Sequence, residues 1–79
     1  MKDIDGILML RGQAAGAIAN GTRVKKVWGE PGDAHSLGAG AVVLGSIADP
    51  ASGIIVYCVE WDDAPGLPTI VQAKKIGPA

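Results

Sequence analysis

Three residues able to move protons or hold a metal stand close together: Glu30, Asp33 and His35, within Gly29–Gly40 (GEPGDAHSLGAG). Carboxylates beside an imidazole are the materials of a metal site or an acid–base pair. The plainer account is a solvated polar loop in which Asp33 fixes a turn and His35 lies at the surface. That account is favoured, because a loop carrying Gly29, Gly32, Gly38 and Gly40 offers three ligands no rigid scaffold. A second constellation is aromatic. Trp61-Asp62-Asp63 ends the strongest apolar run and Trp28 ends an earlier one. Two indoles on one rim, beside the long loop, make the kind of groove that takes extended or proline-rich peptides, and the acidic pair would favour a basic ligand. The alternative is that both indoles serve the core, since the chain has two Trp, one Tyr and no Phe.

Arg23, Lys25 and Lys26, with Lys74-Lys75, are the cations that a nucleic-acid contact would use. A solvated edge strand guarded by lysine is the favoured account of them. The formal net charge of −1 and the lack of interleaved aromatics speak against nucleic acid as a partner. Cys58 sits among Ile, Val and Tyr with no base nearby in sequence, so it reads as a buried, inert thiol. The glycines of the long loop lack the Gly-Lys-Ser/Thr and following helix of a phosphate-binding loop. No cofactor is expected.

These side chains must be positioned by short β-strands. Thr22–Trp28, Ala41–Ala48, Ile54–Trp61 and Leu67–Gln72 are β-prone runs separated by turn clusters, among them Asp49–Gly53 and Asp62–Gly66. Gly45 should mark a bulge or a sharp bend in its strand. Ala73-Lys74-Lys75 fits one helical turn before a last strand at Ile76. Residues 1–20 form an N-terminal extension before a barrel domain at 21–79. Ile4, Ile7, Leu8, Arg11, Ala14, Ala15 and Ile18 follow helical spacing, weakened by Gly6, Gly12 and Gly16. A strand at Ile7–Leu10 is the competing reading. The expected fold class is all-β: a small five-stranded barrel with an N-terminal helix or extra strand.

Size bounds the rest. Seventy-nine residues allow one domain with a marginal core, burying only about 60 % of the unfolded chain's surface. One cysteine excludes an internal disulfide, and Cys58 with His35 cannot complete a zinc site. Self-association is then the expected supplement. Patterning agrees: Ile54–Trp61 and Ala41–Ala48 are apolar on both faces, whereas a sheet with one wetted face alternates. Either the N-terminal segment or another subunit covers the second face, and a homo-oligomer is the preferred reading. No stretch approaches the roughly 20 apolar residues of a membrane helix. The interrupted run near the N-terminus is a poor secretion signal, so a cytoplasmic protein is expected.

The series Gly21-x-Arg23-Val24-x-Lys26, loop, Gly40-x-Val42-x-x-Gly45, hairpin, Val59-Glu60, Pro-Gly turn and terminal Lys75-Ile76 resembles a Src-homology-3-like barrel. Within that fold it is most similar to the type II, plasmid-borne dihydrofolate reductases, over roughly residues 21–76. The resemblance implies a barrel that assembles around a central pore. Their Val-Gln-Ile-Tyr active-site run is half present, as Val71-Gln72, with Ala73-Lys74 in place of Ile-Tyr. Reductase activity is therefore not carried over. The primary expectation is a non-catalytic oligomeric binding or assembly module. It would recognise a protein or small ligand through Trp28, Glu30, Asp33, His35, Trp61 and Asp62. A pore-type reductase using Val71, Gln72 and Lys74 and a nucleic-acid-binding barrel using Arg23, Lys25 and Lys26 are the alternatives.

Overall fold

A computed structural model describes residues 12–79. They build one antiparallel sheet of five strands: β1 (Arg23–Lys26), β2 (Gly40–Ala48), β3 (Ile55–Trp61), β4 (Thr69–Gln72) and β5 (Ile76–Pro78). A single 3-10 turn, Ala73–Lys75, separates the last two. The order across the sheet is β4-β3-β2-β1-β5, so β4 and β5 are its edges, and no hydrogen-bonded pairing joins them. The expected all-β class holds.

Cross-strand partners share a face, and the register therefore sorts the side chains. On the inner face Val24 opposes Ala41, Ala41 opposes Trp61, Val43 opposes Val59, and Tyr57 opposes Val71. Val24, Ala41, Val43, Tyr57, Val59, Trp61 and Ile76 close into the core. Between Val43 and Gly45 the register slips, as Gly45 suggests, and the bulge restores the inner direction to Ser46 opposite Tyr57. On the outer face lie the pairs Ile47–Val56, Gly45–Cys58, Val56–Gln72 and Cys58–Ile70. Ile47 and Ile70 are about half exposed there, while Cys58 is buried.

Three expectations change. The strand begun by Arg23 stops at Lys26, and the Val27 N–H donates to the Lys75 carbonyl (2.9 Å) one step beyond the Lys26–Ile76 pair. Nor is β1 an edge: it lies between β2 and β5, so its lysines do not guard an open side. Residues 12–20 form bends and turns, not the end of a helix. Gly16 has φ +77°, a left-handed geometry that breaks helical progression. This segment rests on the core side, where Ala17 and Ile18 pack on the cluster and the Ile18 N–H donates to Tyr57 Oη (2.8 Å). Ser46 receives the Ala14 N–H at Oγ (2.9 Å) and donates its own N–H to the Gly12 carbonyl (2.8 Å). The helical or strand readings of residues 4–11 lie outside the described residues.

Candidate functional site

Strand alternation in β1 sends Val24 and Lys26 inward and leaves Arg23 and Lys25 exposed. Lys26 is thus a lysine at 5 % exposure, and a buried ammonium without partners would be strongly unfavourable. The loop that follows, residues 27–39, supplies them. Asp33 first makes a local turn: its N–H donates to the Glu30 carbonyl (3.1 Å) and its carboxylate accepts the Glu30 N–H (3.0 Å). The same carboxylate then ion-pairs with Lys26 Nζ at 2.8 Å and with Lys75 Nζ at 3.3 Å. Lys26 Nζ also donates to the His35 carbonyl. Two backbone bonds tie the loop to β1: the Lys26 N–H to the Ala39 carbonyl, and the Gly38 N–H to the Lys26 carbonyl. The Lys26 ammonium, the Glu30 N–H and Lys75 together hold the Asp33 carboxyl far below the usual carboxylate range.

Pinned in this way, the loop lays His35 on Trp61. Their rings stack with centroids 4.4 Å apart and 16° between planes. The His35 Nδ1 stands 3.1 Å from the Asp63 carboxylate. Trp61 is itself 3 % exposed and donates its indole N–H to Thr69 Oγ1 (2.7 Å). Between loop, β3, β4 and the 3-10 turn lies a cleft of about 180 Å³, with Ala34, His35, Trp61 and Val71 as its apolar walls and Lys26, Asp33 and Lys75 at one side.

The remaining candidates fall elsewhere. Glu30 is exposed and 3.7 Å from Lys75 Nζ, at the cleft's margin. Trp28 does not line the cleft; it is 43 % exposed, with Lys74 Nζ 4.5 Å above its ring. The two indoles therefore do not form the expected common rim: one is core and floor, the other covers a lysine. Asp62 does not stand ready for a basic ligand, because Arg23 engages it bidentately, with Nη1 to Oδ1 at 2.7 Å. That hydrogen-bonded pair raises the Arg23 pKa and lowers that of Asp62. A Cβ at Gly40 would come within 2.6 Å of Asp62 Oδ2 and 2.9 Å of Arg23 Nη2, so a side chain there would push this exposed pair aside. Arg23 and Lys26 being paired, Lys25 is the only β1 cation without an ion-pair partner among the described residues.

Glu30, Asp33 and His35 are near one another but point to different partners, and no group of three metal-ligating side chains converges among the described residues. His35 is also less open than a surface residue, its side chain being 18 % exposed. Sequence reasoning missed Lys75, Thr69 and Val71 as members of the site, and it set Asp63 beside the groove for a basic ligand, where the structure pairs it with His35. It also missed the role of Lys26, although the Arg-Val-Lys-Lys alternation places Lys26 on the face of Val24. No protein-family model, curated protein or solved structure matches this chain. None of the described residues belongs to a helix long and apolar enough to cross a membrane.

Proposed function

We propose that this chain is a binding and assembly module built on a Src-homology-3-like barrel, and that its ligand enters the cleft floored by Trp61 and His35. The strand order supports the barrel: β5 returns to β1, and a 3-10 turn separates it from β4. The observation that carries the binding reading is the pinned loop, which stacks His35 on buried Trp61 and so walls a hollow beside apolar Val71 and Ala34. A preorganised apolar cleft with a few polar groups at one side is the usual form of a ligand site. The cations and anions around it neutralise each other, so the cleft suits a flat apolar or proline side chain of an extended peptide more than a charged group. Binding is favoured over acid–base chemistry because Asp33 is driven away from neutrality, the reverse of what a general acid needs. Exposed Ile54, Leu67 and Ile70 support the homo-oligomeric part of the reading.

Titration with proline-rich peptides, followed by NMR, tests the site. The Trp61 indole proton and the His35 and Val71 resonances should shift together, and Ala34→Leu, which fills the cleft from its exposed side, should abolish the response with the fold intact. Shifts confined to Trp28, or none at these residues, would reject the cleft as the site.

A further inference from the structure

The two edges of the sheet are unequal. β5 has three residues, one of them Gly77, and ends in Pro78, which cannot donate to a neighbouring strand. β4 reads Thr-Ile-Val-Gln: no charge, no proline, no glycine and no bulge. Natural edge strands carry such guards against pairing with another chain. Among the described residues β4 pairs only with β3, leaving the backbone groups of its other side open. Ile70, at its outward face, is 51 % exposed.

We propose that β4 is a dimerisation edge, pairing antiparallel with β4 of a second copy across a two-fold axis. This rests on the assembly half of the reading above and names its surface. Charge distribution selects a second copy as the occupant. Exposed Lys74 follows the C-terminal end of β4. Glu60 stands at the N-terminal end, where its carboxylate accepts the Gly66 N–H (2.7 Å). An antiparallel pair related by a two-fold sets the lysine end of each strand against the Glu60 end of the other, and brings Ile70 near its own counterpart. An unrelated strand has no need to match this polarity. The pairing also adds a wall to the hollow bordered by Ile70, Val71 and Gln72.

Sedimentation equilibrium of the full chain over a range of concentrations tests the proposal. A dimer is expected. Ile70→Lys puts like charges beside the axis and should weaken it by about tenfold or more, with circular dichroism unchanged. Ile47→Lys, on the same face but on β2, should leave the dimer constant unaltered. Lys74→Glu should weaken association, and combining it with Glu60→Lys should restore it. A monomer at every concentration, or a dimer indifferent to Ile70→Lys and lost with Ile47→Lys, overturns the edge pairing. Peptide titration of the same samples separates the readings: a dimer whose Trp61 proton ignores peptide rejects the cleft alone, and a monomer that binds peptide rejects the edge alone.

Discussion

The loop at residues 27–39 and the turn at residues 49–54 look alike as sequence, each with an aspartate, a proline and glycine. Both aspartates make the same local bond, accepting an N–H within three residues: Asp33 from Glu30, Asp49 from Ser52 at 3.1 Å. There the likeness ends. Asp49 spends its second contact on the Ser52 hydroxyl (2.6 Å), and the turn closes on itself through the Gly53 N–H and Ile54 carbonyl. Asp33 reaches Lys26 and also Lys75, 42 residues away in sequence. A turn that satisfies itself ends at its own boundary, whereas one anchored to distant strands can hold a cleft open beside them. What separates the two is the buried Lys26, a charge that demands a partner.

Substitutions should widen or erase that difference. The largest effect is expected from Trp61→Ala, which empties a core position and removes the ring under His35. A loss of about 3–5 kcal/mol is a large share of what a domain this size possesses. Chemical denaturation would measure it, and the 49–54 turn should keep its native amide shifts in any folded fraction. Asp33→Asn comes next. It leaves Lys26 buried without its full countercharge, and should lower Tm by several degrees and strip exchange protection from Gly38 and Ala39. Loss of protection spread evenly over both turns would contradict the contrast.

Acid should act in the same direction. The Asp33 and Asp49 carboxyls are both held below their ordinary range, Asp33 chiefly by Lys26 and Asp49 chiefly by the Ser52 hydroxyl. A carboxyl whose folded pKa is depressed stabilises fully above its unfolded value and loses that contribution as pH falls toward the folded one. Stability should therefore be level down to about pH 5 and fall below about pH 4, with a shallower fall in Asp33→Asn. The smallest effect is expected from Asp49→Ala. Its bonds are exposed and local, so the turn should fray while the His35 and Trp61 resonances stay in place.

The all-β class, the positions of all five strands, the Gly45 bulge and the helical turn at Ala73–Lys75 were legible in the sequence. Each depends on residues within a few positions of one another: β-branched runs, turn formers, a glycine inside a strand. The turn made by Asp33 is of the same local kind. The cleft was only half legible. Its loop, Asp33, His35 and Trp61 could be named, but Trp28 was assigned to the wrong surface and Asp62 to a ligand in place of Arg23.

Residue type and short-range spacing determined which segments become strands and which become turns, because pleat and turn geometry are set by neighbours along the chain. Tertiary structure alone decided who meets whom. Arg23 and Asp62 lie 39 residues apart, and Asp33 and Lys75 lie 42 apart. Only the order β4-β3-β2-β1-β5 brings the elements bearing them together. The same order made β1 an interior strand, buried Lys26 on the core side and left β4 as the uncharged edge. A buried charge and an open edge are properties of that order, which local spacing does not record.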